Sequence, residues 1–396
     1  MTPRERVAAA YDLRTPDRVP VTELCVNHPV ASALLGREAW TGFGGYVRGK
    51  LHNDLLIDGR RDEYAERFTT DTLEVNRRLE FDVFQIQILP ERGAPARLSR
   101  VGPHAWRHEE RDGRWDVHVW NPGNDFYGEE DSSFRRDPAR ELRLMIDDLA
   151  RDPVPHYGDG QWDFARRARR EFPDHFLWGG AGFWIPYTAE GLASLGEDED
   201  LWCAYAERLC EYQKANVDLQ LAEGVDAFWC GSDWAFKTGP LLSPAMFRRI
   251  FLKPWRELVR HIHARGVKYI KHTDGNIGMF EEMWFGEIGM DGYHAIEPAA
   301  GVDIVDLRRR RPGLLLHGNL DCGALLTQGT PGQVETEVIR LARALGPGAG
   351  WVFSSSNSIH SGIPLTNVLA MLAAVRHHGT APFGSRPRLY DGGDAA

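Results

Sequence analysis

The regular alternation of strand-like and helix-like segments after Pro153 restricts the fold of this chain more than any other feature. Strands that alternate with helices indicate parallel βα units. The strand-like runs include residues 175–182, 225–233, 267–276, 290–298, 313–321 and 350–354. About eight strands of this kind are found along the chain, and neither a GxGxxG motif nor a P-loop follows any of them. We therefore predict an α/β fold of the (β/α)8 TIM-barrel type rather than a dinucleotide-binding sheet.

Two further segments are expected outside the barrel itself. The opening residues predict a helix with Thr2 as N-cap and Pro3 at its first position, which gives an N-terminal extension. Polar and aromatic residues flank Asp112-Gly113, the strongest short hairpin signal in the chain. This pattern predicts a β-hairpin insertion over about 91–125. We treat residues 1–396 as one barrel domain that carries both features.

Each strand-like run after Pro153 ends in a burst of polar or small residues. The bursts comprise residues 231–234, 272–276, 293–298, 317–321 and 354–360. In a barrel of parallel strands the active site lies at the carboxyl ends of the strands. We therefore expect these five bursts to converge on one mouth and to form the active site there.

Charge and composition exclude several classes of function. The formal net charge of −10 argues against a general nucleic-acid surface. No stretch is long and apolar enough for a membrane span, and the N-terminus lacks the apolar core of a signal peptide. The five cysteines are scattered without a CxxC pair, so a disulfide framework is not expected. We expect a cytoplasmic protein and leave its oligomeric state open.

Four ionisable residues at strand ends are the candidate catalytic groups. His272 and Asp274 suit metal binding or proton transfer, although Asp274 and Gly275 would also suit a simple turn. Asp233 could orient a substrate or transfer a proton, or instead cap a helix or pair with Lys237. Glu297, directly before Pro298, ends another strand and has a structural hydrogen bond as its alternative role.

A second set of residues is expected to contact a substrate. Asn319 is expected to face the mouth, whereas Asn276 could equally cap the next helix. Trp184 and Trp234 could line an apolar pocket or pack in the core. The remaining members of the substrate-binding set are Arg48, Lys237 and Asn357. Arg48 would hold a carboxylate group, with a solvated arginine as the alternative.

Two stretches of the chain resemble the uroporphyrinogen decarboxylase superfamily. Residues 318–376 contain Gly-Asn-x-Asp, a helix opened by Gly-Thr-Pro, and Pro-x-x-Asn-Val. Residues 233–266 contain Ser-Pro-x-x-Phe followed by Lys-Pro. The resemblance covers most of residues 175–378 and implies the barrel fold. It also implies one of two chemistries, which are decarboxylation of uroporphyrinogen and methyl transfer between a corrinoid and a thiol or other acceptor, often with zinc.

Departures from each family pattern separate these chemistries. The region that carries substrate-binding arginines in the decarboxylases has none before Arg37, and Gln87 stands at the position of the decarboxylase aspartate. A Gly-His-Gly expected near Asn357 is also missing, so decarboxylation in the haem pathway is not expected. The thiol-directed methyltransferases carry His-x-Cys where this chain has His272 and Asp274, and a late cysteine where it has Ser356 or Asn357.

The resemblance favours a methyltransferase that moves a methyl group between a corrinoid and a small substrate or thiol. Zinc would be held by His272, Asp274 and His360, with Glu297 able to complete the set. Methylcobalamin would come from a separate corrinoid protein, and neither NAD nor ATP is expected. The alternative is a metal-independent decarboxylase or lyase that acts on a small carboxylic acid through Arg48, Lys237 and His272. A binding protein that lost its chemistry is a third interpretation.

Overall fold

A seven-stranded parallel sheet forms the centre of this computed structural model, which describes residues 1–93 and 97–390. Its strands are β1 (Val83–Gln85), β6 (Phe176–Gly180), β7 (Ala227–Cys230), β10 (Tyr269–Thr273), β11 (Gly292–Ala295), β12 (Leu315–His317) and β13 (Trp351–Val352). They lie side by side in that order, and every neighbouring pair is parallel. The prediction of a mixed α/β fold built from parallel βα units is confirmed.

Helices connect these strands and cover the sheet. The α-helices are α1 (Pro3–Tyr11), α2 (His28–Leu35), α3 (His52–Ile57), α4 (Arg61–Leu79), α5 (Ser133–Arg136), α6 (Pro138–Arg151), α7 (Asp163–Glu171), α8 (Ala189–Glu197), α9 (Glu199–Ala222), α10 (Pro244–Ile250), α11 (Leu252–His263), α12 (Ile304–Arg310), α13 (Leu325–Gln328), α14 (Pro331–Leu345) and α15 (Leu365–His378). Two π-helices span Tyr46–Leu51 and Glu282–Ile288, and two short 3₁₀ turns span Pro298–Ala300 and Gly346–Gly348. In the described part of the chain, none of the helices combines the length and the apolar character needed to cross a membrane.

Capping residues define where several helices begin. Thr2 accepts a hydrogen bond from the backbone N–H of Glu5 and forms a capping box with it, as Thr330 does with Gln333. Ser243 caps α10 by accepting a hydrogen bond from the backbone N–H of Met246, with Pro244 at the first helical position. These side chains bind backbone N–H groups that have no partner within the helix. The local sequence therefore fixes the points at which the chain turns from a loop into a covering helix.

A short extended segment at residues 20–22 contacts both edges of the sheet. The backbone N–H of Phe353, just after β13, donates to the carbonyl of Pro20 at 2.8 Å, and Thr22 donates back to Phe353 at 3.0 Å. On its other side, the N–H of Asp82, just before β1, donates to the carbonyl of Val21 at 2.8 Å. The seven-stranded sheet is therefore curled, and its edge strands approach each other through this segment. Val21 and Val26 form isolated parallel bridges with Phe353 and Ile359.

The buried carboxylate of Asp82 fastens the N-terminal helix to the sheet. It accepts hydrogen bonds from Arg6 Nη1 at 2.6 Å, Arg18 Nη1 at 2.7 Å and the backbone N–H of Val21 at 2.8 Å. Arg6 lies in α1, so one carboxylate joins α1, the loop that follows it and the first strand of the sheet. A buried charge requires partners of this kind.

Side chains inside the curled sheet alternate with a period of two, as expected for strands. At the amino ends of the strands, an apolar cluster fills the interior with Phe176, Ala227, Ile270, Leu315 and Val352. Two residues further along their strands, Trp178, Trp229, His272 and His317 lie in the next layer, and all four are buried. The interior therefore changes from apolar to polar toward the carboxyl ends of the strands.

The inserted region is a four-stranded antiparallel sheet, here called the insertion sheet. It consists of β2 (Leu98–Gly102), β3 (Ala105–Glu109), β4 (Trp115–Asn121) and β5 (Phe126–Ser132). Asp112 and Gly113 lie in the turn between β3 and β4, where the sequence indicates a hairpin. The sheet continues to Ser132, so it extends past the expected end at about 125. The buried Trp106 donates through Nε1 to Asp54 at 3.0 Å, which ties the sheet to α3.

Candidate active site

Three of the predicted catalytic residues lie together at the carboxyl ends of β7 and β10, a region called the mouth here. Asp233 follows β7 by three residues, His272 lies within β10, and Asp274 follows it directly. Each offers one nitrogen or oxygen atom, and these atoms all lie within 4.8 Å of one another. We call these three residues the mouth group. It combines one imidazole and two carboxylates, which is a donor set suited to a divalent cation or to proton transfer.

Hydrogen bonds from neighbouring strand ends orient the mouth group. The Oδ1 atom of Asp233 accepts from the backbone N–H of Asp274 at 2.9 Å and lies 3.8 Å from His272 Nε2. Asn357, which follows β13, donates from Nδ2 to Asp274 Oδ2 at 2.6 Å. The carboxylate of Glu297, which follows β11, accepts from the backbone N–H of Gly275 at 3.0 Å. Residues from four strand ends therefore form one connected network.

The local backbone explains why the chain after β10 has this sequence. Gly275 has a φ of +85°, and a Cβ atom there would lie 2.5 Å from the carbonyl oxygen of Ala235. Only glycine fits such a close approach with a left-handed backbone. Asp274 bonds to the Asn357 side chain rather than to nearby backbone amides, so its carboxylate is directed into the mouth. The turn and the candidate site therefore coexist in the same five residues.

Asp274 is ionisable near neutral pH. Burial raises its pKa to about 7, and the negative charges of Asp233 and Glu297 add to this, whereas the Asn357 hydrogen bond opposes it. Its Oδ1 atom is buried, and no described residue forms a hydrogen bond with it. A buried carboxylate oxygen without a protein partner indicates a place for a further ligand atom.

His272 is buried and remains uncharged at neutral pH. Burial, assisted by the charge of Lys271, lowers its pKa to about 3. Its Nδ1 atom lies 2.6 Å from Nδ1 of His294, so one of these two atoms must carry the shared proton. When His272 carries it, its Nε2 atom has a free lone pair toward Asp233 and Asp274. This tautomer is the one that a metal ligand requires.

The other predicted residues lie in varied surroundings. Trp234 is completely buried and packs against Phe251 and Trp255, so its ring belongs to the core. Lys237 is 65% exposed and lies 3.7 Å from Glu297 rather than beside Asp233. Trp184 is 41% exposed.

Three predicted polar residues make local hydrogen bonds. Asn276 donates to the carbonyl of Ala300 and accepts from the N–H of Gly278, so it closes a local turn. It does not cap the next helix, which begins at Glu282 with Glu281 as its N-cap. Asn319 is buried and donates to the carbonyl of Ile296 at 3.0 Å. His360 lies outside the mouth group, because its ring nitrogens bond the backbone of Cys322 and Gly362.

A cavity of about 650 Å³ lies between the strand ends and the insertion sheet. Gln85, Gln87 and Trp229 line it from the barrel side, and Arg48 lines it from the preceding helical segment. The indole ring of Trp229 contacts the His272 ring edge-on at a centroid distance of 5.4 Å. The cavity therefore adjoins the mouth group through Trp229, and it is large enough for a small organic ligand.

Two residues outside the predicted set belong to the polar interior. His294 shares a proton with His272, and its Nε2 atom lies 3.4 Å from the Ser354 hydroxyl. Glu23 is buried, accepts from the N–H and the hydroxyl of Ser355 at 2.7 Å each, and has a pKa that burial raises to about 8. The only sequence signal for Glu23 was a glutamate within the mostly apolar run 19–26.

Comparison with known proteins finds a family match over the second half of the chain. The family model for uroporphyrinogen decarboxylase (URO-D) matches residues 188–378. The uroporphyrinogen decarboxylase of Coxiella burnetii is 27% identical over 190 residues, which are 47% of this chain and 50% of that protein. That of Sodalis glossinidius is 34% identical over 48% of this chain and 54% of its own length. The chain thus aligns with about half the length of these relatives.

A solved structure shares the architecture over nearly the whole chain. A methyltransferase from Methanosarcina mazei superposes with a TM-score of 0.59 at 16% identity, covering 95% of this chain and 99% of the other. At that identity the similarity concerns the fold. Together with the family match, it confirms the resemblance seen in the motifs around Gly318 and Pro364. Residues 188–378, just under half of the chain, thus match the uroporphyrinogen decarboxylase family.

Proposed function

We propose that this protein is an enzyme that moves a methyl group between a corrinoid and a small acceptor. The proposal rests on the mouth group, in which Asp233, His272 and Asp274 direct one nitrogen and two carboxylate oxygens toward one another. The same position in thiol-directed methyltransferases of the superfamily carries a His-x-Cys pair. Here an aspartate stands two residues after the histidine, so the acceptor site has oxygen ligands in place of a thiolate.

Zinc fits the mouth group. His272 would bind through Nε2 and Asp233 through a carboxylate oxygen. The buried Oδ1 of Asp274, which no described residue satisfies, would stay uncoordinated beside the ion and be free to accept a proton. Nitrogen and oxygen ligands of this kind are common at catalytic zinc ions with an open position. A bound zinc ion would supply a positive charge that lowers the pKa of the acceptor's thiol or hydroxyl group.

Asp274 is the proposed acceptor of the proton released by the reaction. As the acceptor's lone pair forms the bond to the methyl carbon, the acceptor loses its proton to the Asp274 carboxylate. The electron pair of the broken bond stays with the methyl donor. A carboxylate with a pKa near 7 suits this role, because it is partly ionised at neutral pH and can hold the proton afterwards. Asn357 and Asp233 keep it oriented.

The test combines metal analysis with a methyl-transfer assay. We expect stoichiometric zinc in the purified protein, and loss of the methylcobalamin absorbance when candidate thiols or phenols are added. His272→Ala should remove one bound equivalent of zinc and abolish the reaction. His377→Ala, which changes a half-buried histidine on α15 outside the mouth group, is the matched control and should retain both. Metal-free protein that is active on a carboxylic acid, and inert toward methylcobalamin, would overturn the proposal.

A decarboxylase or lyase is the second candidate, and the cavity favours it. Arg48 lines the cavity beside Gln85 and Gln87 and forms no ion pair with a described residue, so its charge is available to a substrate carboxylate. Asp274 in its protonated form could then protonate the carbanion left by loss of CO2. Activity that survives complete removal of metal would favour this candidate over methyl transfer.

We further propose that residues 20–22 act as the eighth strand of a (β/α)8 barrel. The support is the pair of hydrogen-bonded contacts to Phe353 and Asp82, which join the two edges of the seven-stranded sheet. In such a barrel the mouth group occupies the face at which substrates bind in this fold.

A further inference from the structure

Three side chains converge on one face of the insertion sheet, away from the mouth group. The pairing of β3 with β4 sets His108 directly opposite Asp116. His118 lies two residues further along β4, so it projects from the same face as Asp116. Their ligand atoms lie within 4.8 Å of one another. We call these residues the insertion cluster.

One carboxylate oxygen of Asp116 lies close to both histidines of the insertion cluster. Asp116 Oδ1 lies 2.7 Å from His118 Nδ1 and 3.5 Å from His108 Nδ1. The two imidazole rings stack with their centroids 5.5 Å apart. One oxygen therefore faces two nitrogens that lie on the same side of the sheet, which is the arrangement of a three-ligand metal site.

The charge of Asp116 has no permanent cation beside it. In residues 1–93 and 97–390, its ion pairs are formed only with His108 and His118. Other aspartates of the same region differ, because Asp112 pairs with Arg114 and Asp131 pairs with Arg136. A divalent cation would supply the positive charge that the insertion cluster lacks.

Surrounding groups leave the insertion cluster open to the cavity. His108 and His118 both line the 650 Å³ cavity, which Trp229 bounds from the barrel side. The hydroxyl of Tyr127 lies 3.5 Å from His108 Nε2 and itself accepts a hydrogen bond from Asn53 at 2.7 Å. This contact orients the imidazole ring and leaves Nδ1 facing Asp116. Support of a ligand histidine through its second nitrogen is typical of metal sites.

We propose that His108, Asp116 and His118 bind a zinc-like divalent cation. Two imidazole nitrogens and one carboxylate oxygen form the ligand set of many zinc sites that keep a further position for water or substrate. The open position would be available to an anionic oxygen or thiolate of a ligand in the cavity. This site is separate from the mouth group and does not depend on the proposed methyl transfer.

Metal titration of the full-length protein tests this inference. After removal of bound metal with a chelator, the protein is titrated with Co²⁺, and the visible absorption and heat of binding are recorded. Compared with wild type, His118→Asn and Asp116→Asn should each lose one bound equivalent. His104→Asn changes another histidine of the same region and should bind as wild type does. Asp274→Asn should retain the equivalent held by the insertion cluster.

The experiment tests the two proposed metal sites independently of each other. Unchanged stoichiometry and affinity in His118→Asn would overturn the insertion site, whatever Asp274→Asn does. A second measurement uses only the wild-type protein, so it does not depend on variants that fold poorly. Crystals of the wild-type protein are soaked in Zn²⁺ and analysed by anomalous scattering. A peak between His108 and His118 supports the site, and its absence at saturating zinc rejects it.

Discussion

At the scale of single residues, Asp274 should control how the reaction depends on pH. Its raised pKa of about 7 means that the carboxylate form becomes dominant as the pH rises through neutrality. If Asp274 accepts the acceptor's proton, the rate should rise over this interval. Asp274→Asn keeps the shape but cannot accept a proton, so activity should fall by about 100-fold or more. The comparison requires rate profiles of both proteins between pH 5 and pH 9.

The matched control for this prediction is Asn276→Ala. Asn276 lies two residues away, bonds to backbone groups, and should leave the pH profile unchanged. A wild-type rate that falls as the pH rises through 7 would instead identify protonated Asp274 as the active form. That result would favour the decarboxylase, in which an acid protonates a carbanion.

Glu23 should make the protein less stable as the pH rises. Burial raises its pKa to about 8, compared with about 4.3 in an unfolded chain. Between these values the folded state binds more protons than the unfolded state, so the free energy of unfolding falls with increasing pH. Glu23→Gln removes this dependence while it keeps hydrogen bonds to Ser355. Relative to wild type, the variant should gain roughly 2–4 kcal/mol between pH 5 and pH 8.

Urea unfolding at these two pH values measures the difference between the proteins. Glu110→Gln, at an exposed position, is the control and should follow the wild-type pH dependence. A parallel response of Glu23→Gln and wild type would contradict the assigned shift in pKa.

Residue types were easier to predict than the directions of side chains. The strand-end pattern located Asp233, His272 and Asp274, and the structure brings them together. The same pattern could not show that Trp234 turns into the core, because aromatic residues at strand ends can pack on either side. The contact between His272 and His294 depends on the register of β10 with β11, which a single sequence does not encode locally.

At the scale of elements, the turn after β10 should tolerate no side chain at Gly275. Alanine would place a Cβ atom 2.5 Å from a backbone oxygen and would force a left-handed conformation. We expect Gly275→Ala to lower the free energy of unfolding by about 1–3 kcal/mol and to impair activity, because Asp274 would move. Gly313→Ala is the control, since a Cβ atom there has open space. Equal stability of the two variants would contradict the steric argument.

Elements with strong local signals matched the sequence, and those set by tertiary contacts did not. The Thr2 cap with Pro3 correctly marked the beginning of α1, and the Gly-Thr-Pro motif marked that of α14. No local motif in the sequence marks the break near Asp198 that separates α8 from α9. The hairpin signal at Asp112-Gly113 located one turn of the insertion sheet, whereas the turn signal Asn121-Pro122-Gly123 between β4 and β5 was missed. Sheet pairing over longer distances depends on packing, which sequence periodicity does not report.

At the scale of the whole molecule, the cavity is lined by two layers, the parallel sheet and the insertion sheet. The curled parallel sheet supplies the mouth group at its strand ends, and the insertion sheet supplies the opposite wall with His108 and His118. If both proposals hold, the proton-transfer site and the second metal-binding site would lie on different layers of the molecule. Closure of the parallel sheet matters for the site because Asn357, which follows the edge strand β13, donates to Asp274, and displacement of that edge would break this contact.

Asp82 is the residue on which this closure depends most directly. Its side chain is 1% exposed and neutralises Arg6 and Arg18, which join α1 and the segment at residues 20–22 to β1. Asp82→Ala leaves Arg6 buried without this partner and should lower the free energy of unfolding by about 3–5 kcal/mol. Asp17 also pairs with Arg6 but is 41% exposed, so Asp17→Ala should cost only about 0–1 kcal/mol. Urea unfolding compares the variants, and similar losses in both would mean that the buried carboxylate does not hold the two edges together.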